Sequence, residues 1–406
     1  MPYWSVPIPA AAAAAPVADG DRVYLALRSA HVVALPSTDG QRELWRVARE
    51  VTVPMAAADG LLFIGTGDAI EALRGADGAT AWIAPRVKAV TSLVATPGLL
   101  LAVTATEVVG IRVADGQVAW RRSAGGVRYP PTVDGSRAFV GADDGRVLAL
   151  DVASGEVLWG ERYVNGGVTA LRASHGLVYA GGGDKKLHCL DARNGREKWT
   201  FASGLSPTGA IAVDDKRVYF SALDNVVRGL DRETGNLRWQ TALNRRPVAG
   251  VRLAGHVLFV EVTSAELVML FDATGLRSGV IALPKETTRD LPIDVRETEA
   301  GVHVFVVTGN LAGEWNLTMI GPAGEAPLEP FDKLTPLPGV AFLTDPALAP
   351  IGLVLPWLIL TDPALQPFSA IEWPVVLRDP PLVPLTTLPG IQLRPLSPVL
   401  PAHRGG

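Results

Sequence analysis

Short apolar runs of four to six residues dominate the first 330 positions, each bounded by polar clusters that hold Gly, Asp or Asn. Runs of that length with such punctuation predict β-strands joined by tight turns. Segments such as RAFVGADDGRVLALD, Arg137 to Asp151, alternate around an Asp-Gly turn in which Gly145 supplies a positive φ. One phrase recurs: an apolar strand, a polar turn ending in Gly, and a Trp four or five residues later. It reads VVALPSTDGQRELW to Trp45, IEALRGADGATAW to Trp82, VVGIRVADGQVAW to Trp120, VLALDVASGEVLW to Trp159, LHCLDARNGREKW to Trp199 and VRGLDRETGNLRW to Trp239. Successive Trp residues are 37, 38, 39, 40 and 40 apart. Two weaker copies follow, LVMLFDATGLRSG with Gly279 in the Trp place and LTMIGPAGEAPL ending at Leu328.

A fixed period near 40 residues marks a repeat architecture whose units bury their faces on one another. Each copy predicts four short antiparallel strands. In the second turn Asp151, Asp191 or Asp231 bonds the turn backbone, and Gly155, Gly195 or Gly235 takes the left-handed position. The Trp that follows is expected to be a flat apolar plug between neighbouring sheets, buried at the same place in each copy. Trp4 lies 41 residues before Trp45, in phase with the series. The N-terminal strand is therefore expected to complete the last copy, whose first strands lie near Val302 to Leu328. Pairing the two ends removes exposed sheet edges. The fold class is all-β: an eight-bladed β-propeller over 1–328, closed by the N-terminal strand and followed by a proline-rich extended segment over 329–406.

The phrase Leu230-Asp231 to Trp239, LDRETGNLRW, resembles the repeat of the pyrroloquinoline-quinone-type propellers. That family includes quinoprotein alcohol dehydrogenases and the propeller lipoprotein of the outer-membrane barrel-assembly machinery. The resemblance implies the fold over about four fifths of the chain. The quinoprotein enzymes are longer and carry an adjacent cysteine pair beside the cofactor, whereas this chain has Cys189 alone.

Composition narrows the function. The chain has 406 residues, 48% hydrophobic and 19% charged, with a net charge of −4. That balance excludes a disordered chain and a dominant basic footprint for nucleic acid. One cysteine excludes an intrachain disulfide and a cysteine-rich metal site. His31, His175, His188, His256, His303 and His403 are scattered without metal-ligand spacing. Asp143-Asp144-Gly145 and Asp214-Asp215 fall at hairpin turns, and Gly181-Gly182-Gly183-Asp184-Lys185-Lys186 has no following helix to cradle a phosphate. No catalytic residue, cofactor or metal is expected, and the protein is read as not an enzyme. Four prolines interrupt the N-terminal apolar stretch, which predicts no signal peptide and a cytoplasmic location, or a periplasmic one if a signal was removed. The apolar window Pro346 to Thr361 is too short for a membrane span.

Seventeen of the 32 prolines fall between Pro327 and Pro401, where a second repeat appears. LTDPALAP begins at Leu343, LTDPALQP at Leu360 and LRDPPLVP at Leu377, spaced by 17 residues. Dense proline forbids a regular helix or central strand, and an apolar ribbon cannot form its own core. It must lie on its own propeller, a sister copy or a partner. The expected anchors are Phe342, Leu343, Leu355, Trp357, Leu360, Phe368, Trp373 and Leu377. The leading functional reading is a non-enzymatic scaffold whose ribbon docks onto a protein partner or forms a homo-oligomer. The alternatives are an outer-membrane biogenesis factor, for which a lipid-bearing cysteine near residue 20 would be needed, and a quinone-binding redox protein.

Overall fold

The computed structural model describes residues 4–320, except 41, 86, 88, 128, 163, 264–265, 283–293, 299–300 and 310–313. Every regular element among the described residues is a strand. They form six four-stranded antiparallel sheets and one eight-stranded sheet. The larger sheet is two four-stranded halves joined by a single parallel bridge between Ala210 and Gly250. The described residues thus make eight four-stranded units, and their innermost strands lie side by side in a ring. Val17–Asp19 has Ala56–Ala58 on one flank and Asp294–Thr298 on the other. This is the arrangement of a β-propeller.

The last blade is built from both ends of the ring. Its strands are Asp294–Thr298, Gly301–Gly309, Trp315–Ile320 and, outermost, Trp4–Ile8. Trp4 pairs with Met319 and Ser5 with Thr318, as the phase of Trp4 predicts. The blade starts at Asp294 rather than near Val302, because the first strand carries none of the turn signals that reveal the others.

Burial within a blade departs from simple alternation. In the fourth blade the two middle strands, Arg137–Gly141 and Arg146–Asp151, are buried along almost their whole length, residue after residue. Both faces of a blade lie against another blade, so a middle strand has no solvent side to mark with polar residues. Only outer strands such as Leu237–Ala242 expose alternate positions.

The recurring Trp joins one blade to the next. The Trp120 indole N–H donates to the Val152 carbonyl of the following blade at 2.9 Å. Trp4, Trp45, Trp82, Trp159, Trp199 and Trp239 bond Ser37, Gly75, Val113, Ala192, Arg232 and Asp272 in the same way, at 2.7 to 3.3 Å. The ring then covers the turn glycine of that next blade. Gly155 has φ +67°, and a Cβ there would come within 2.4 Å of the Trp120 ring. The glycine is thus required both for its backbone angle and for its missing side chain. Trp45, Trp82, Trp120 and Trp239 are buried, while Trp159 and Trp199 are half-buried.

From Trp45 to Trp239 each Trp also stands opposite a small residue on the neighbouring strand. The partners are Ala34, Ala72, Gly110, Ala149, Cys189 and Gly229 for Trp45 to Trp239 in order. At Gly229 even a Cβ would sit 2.5 Å from the Trp239 ring. The lone cysteine is accordingly one of a series of small residues under a Trp.

Candidate functional site

The residues with chemical potential are taken up by turns and joints. Cys189 is fully buried, and burial pushes its thiol up to about 12, which keeps it from acting as a thiolate. His31 bonds the Ser29 carbonyl, His175 meets Ser174 and Asp215, and His256 meets Asp272. Asp144 pairs with Arg146 at 2.6 Å across its hairpin. Asp214 accepts the Tyr219 hydroxyl at 2.6 Å and the amides of Lys216 and Arg217. Burial alone would raise that carboxyl, but these bonds outweigh it and hold it below the usual carboxylate range. Gly183, Asp184 and Lys185 form a hairpin turn with Lys185 at φ 67°, as the missing helix implied. Among the described residues no group of three or more His, Cys, Asp or Glu side chains could hold a metal ion. No helix among them is long and apolar enough to cross a membrane. The side chain of His303, together with His403, lies outside the described residues.

Three joints built on ionisable side chains were not read from the sequence as a set. They occupy one repeat position, the middle of the third strand, which is apolar in four of the other blades, at Val33, Val109, Leu148 and Val268. In the second blade it is Glu71, gripped by both ends of the Arg49 guanidinium at 2.7 and 3.0 Å and by the Thr80 hydroxyl. Burial works to raise the Glu71 carboxyl; the bonds from Arg49 and Thr80 together outweigh it and leave it lowered. In the fifth blade it is His188, buried with Nε2 3.0 Å from Asp184 and Nδ1 2.8 Å from Glu197. In the sixth it is Arg228, paired with Asp224 and lying 6.0 Å over the Phe220 ring. Aligning the copies by their Trp would have exposed all three, as polar side chains in a mostly aliphatic column.

One end of the ring gathers exposed apolar and cationic side chains. Interblade loops and the hairpins between second and third strands meet there: the Leu223 amide bonds Ser206, Leu243 bonds Asn225 and Thr263 bonds Arg246. Around the sixth blade this face exposes Leu205 at 40%, Leu223 at 38% and Val248 at 53%. Lys185, Arg245 and Arg246 are exposed near them, with no ion-pair partner among the described residues. The nearby acids, Asp184 and Asp224, are engaged by His188 and Arg228. On the opposite end a cleft of about 380 Å³ is lined by Asp215, Lys216, Arg217, Asp231, Glu233 and Arg238, of which Arg238 and Asp231 form an ion pair at 2.6 Å. The eight expected anchors, Phe342, Leu343, Leu355, Trp357, Leu360, Phe368, Trp373 and Leu377, lie outside the described residues.

The profile of the outer membrane protein assembly factor BamB family matches residues 2–84, 66–174 and 160–304. The chain belongs to that family. Among solved structures, BamB from Moraxella catarrhalis is similar over 79% of this chain and 99% of its own, at 18% identity and a TM-score of 0.64. The computationally designed Ika8 protein matches over the same shares at 16% identity and a TM-score of 0.64. Quinohemoprotein alcohol dehydrogenase from Comamonas testosteroni covers 87% of this chain with 80% of its own, at 13% identity and a TM-score of 0.62. Identities this low carry the propeller fold alone. A comparison with curated protein sequences finds no match.

Proposed function

We propose that the protein is a non-enzymatic scaffold or assembly subunit, with the propeller as a rigid platform and residues 329–406 as an apolar ribbon docking onto a partner or sister subunit. The observation that carries the reading is the exposed group Leu205, Leu223 and Val248, set among Lys185, Arg245 and Arg246, which have no ion-pair partner among the described residues, on a face of short, hydrogen-bonded loops. Apolar anchors rimmed by charge suit protein recognition, since the anchors supply binding energy and the rim supplies selection. Preformed loops lose little entropy on binding. The name of the family also supports a narrower second reading, a part in outer-membrane protein assembly, with a periplasmic location.

Cross-linking with mass spectrometry in the source cells, beside sedimentation velocity of the purified full chain, tests the proposal. Cross-links from 329–406 to another polypeptide are expected, lost in Trp357→Ala with Trp373→Ala while circular dichroism and melting stay unchanged. Leu205→Asp with Leu223→Asp should weaken the same assembly through the propeller. A monomer whose residues 330–406 are protease-sensitive and dispensable for every interaction would overturn the scaffold. Quinone-dependent oxidation of alcohols or sugars by the purified protein would overturn its non-enzymatic character.

A further inference from the structure

The chain contains two Asn-Gly pairs, Asn165-Gly166 and Asn194-Gly195, and the fold treats them oppositely. Asn194 lies in the last turn of the fifth blade, where its Oδ1 accepts the Arg196 amide at 2.9 Å. The Gly195 amide donates to the Asp191 carbonyl at 2.8 Å, and Gly195 is buried. Asn165 lies in the loop between the fourth and fifth blades, and both it and Gly166 are exposed. Neither the Asn165 side chain nor the Gly166 amide has a hydrogen-bond partner among the described residues.

A backbone amide that follows an asparagine can attack the side-chain carbonyl when it is free of other bonds and carries no crowding side chain. Glycine meets the second condition at both pairs. Only Gly166 meets the first. We propose that Asn165 is a self-modifying site that converts without an enzyme. The Gly166 nitrogen forms a bond to Asn165 Cγ, closing a five-membered succinimide. The bond from Cγ to the side-chain nitrogen breaks, and that nitrogen leaves as ammonia with the proton given up by the Gly166 amide. Water then adds to one of the two ring carbonyls, and the bond from that carbon to the Gly166 nitrogen breaks, the nitrogen taking a proton from the water; attack at Cγ leaves aspartate and attack at the main-chain carbonyl leaves isoaspartate. Nothing is oxidised or reduced.

The surroundings make the isoaspartate product matter. The loop is stitched between two turns: Val164 donates to the Gly145 carbonyl at 3.3 Å, and Gly183 donates to the Gly167 carbonyl at 3.0 Å. A Cβ at Gly167 would lie 2.8 Å from the Asp143 carbonyl oxygen, and one at Gly166 would lie 3.3 Å from Gly183 Cα. Isoaspartate inserts a methylene into the main chain, lengthening a segment whose two ends are held by the Val164 and Gly167 bonds. Aspartate adds a charge and leaves the path unchanged. Formation of isoaspartate therefore loosens the joint between the fourth and fifth blades.

The full chain is aged at mildly alkaline pH and 37 °C, and peptides are assayed for isoaspartate by mass spectrometry and by protein isoaspartyl methyltransferase labelling. Conversion at Asn165 is expected to outrun that at Asn194 by about tenfold in the folded protein, with the ratio falling toward unity in urea. Equal rates in the folded protein, or faster conversion at Asn194, would overturn the proposal. So would no conversion at Asn165 when both pairs convert in urea. Amide exchange at Gly183 should quicken in the aged protein and stay slow in Asn165→Asp; equal protection in all three samples would overturn the loosening.

Discussion

The third and seventh blades solve the same packing problem with opposite volumes. In the third, Trp120 reaches from the outer strand onto the next blade, and Gly110 opposite it has no side chain at all. In the seventh, Gly279 stands in the Trp position and Met269 stands opposite. The Met269 methyl carbon approaches to 2.8 Å of where a Gly279 Cβ would be, so the long thioether occupies part of the room a ring would take. Around it, repeat positions that carry Asp231 and Asn236 in the sixth blade become Phe271 and Leu276, exposed at 48% and 65%. In the first seven blades the repeat therefore keeps one large residue across each strand pair rather than a fixed residue, and a blade that gives up its Trp also gives up the interblade bond made by the indole. The eighth blade limits the rule, since Trp4 faces Met319.

The largest effect should come from removing a buried ring. Trp120→Ala deletes a core side chain together with its bond to Val152, and should cost about 3–5 kcal/mol in denaturant unfolding. The same change at half-buried Trp199 should cost visibly less. Equal costs at the two sites would mean that burial does not set the strength of the joint, and a loss below about 1 kcal/mol at Trp120 would contradict the plug altogether.

The glycine beneath the ring comes next. Gly155→Ala forces a left-handed alanine and drives a methyl group into Trp120, an expected loss of about 2–4 kcal/mol. In the Trp120→Ala background only the backbone term should remain. If the loss is the same in both backgrounds, ring and glycine are not coupled and the packing account fails.

The seventh blade sharpens the comparison. Gly279→Trp alone should destabilise, because Met269 fills the space. Met269→Ala alone should destabilise by leaving a void. Together they rebuild the pattern of the other blades, and a double-mutant cycle should give a favourable coupling of about 1–3 kcal/mol. Additive losses would show that this blade has lost more than one side chain of the motif.

Much of this was legible in the sequence because a repeat supplies its own alignment. The Trp period gave the blades, and the phase of Trp4 gave the closure, since ring joints recur at one offset and cannot drift. The turn residues were equally readable: Asp151, Asp191 and Asp231 bond their turns as their spacing implies. Four things were not. The start of the eighth blade at Asp294 has no Trp or Asp-Gly signal beside it. The double-sided burial of strands such as Arg137–Gly141 follows from neighbours that a local alternation pattern does not contain. The joints of Glu71, His188 and Arg228 take their partners from turns and adjoining strands, and Arg49 reaches Glu71 from another blade. The exposed group at Leu205, Leu223 and Val248 comes from three separate segments, so no single stretch announces it.

The smallest effect belongs to a turn that the repeat does preserve. Asp231 accepts the Arg238 guanidinium at 2.6 Å, the Thr234 amide and hydroxyl at 3.0 and 2.9 Å, and the Glu233 amide at 3.1 Å. The Arg238 bond is the largest influence, and with the turn bonds it lowers the carboxyl from its ordinary 3.8 to about 2. A carboxylate whose folded value is depressed stabilises the fold above the unfolded value and loses that contribution as pH falls through the folded one. The window is therefore about pH 4 down to 2. Arg238 is largely exposed, so solvent screening keeps the contribution below about 1 kcal/mol. Asp231→Asn should melt slightly lower than the parent at pH 7, with the two curves converging near pH 2. Differencing against the parent removes the other turn carboxylates, Asp77, Asp115 and Asp151, which are lowered too. Carbon-detected NMR of the Asp231 carboxyl in Arg238→Ala should place its titration back toward the usual range. A parent Asp231 that already titrates near 3.8, or one unmoved by losing Arg238, would show that the ion pair contributes nothing to the turn.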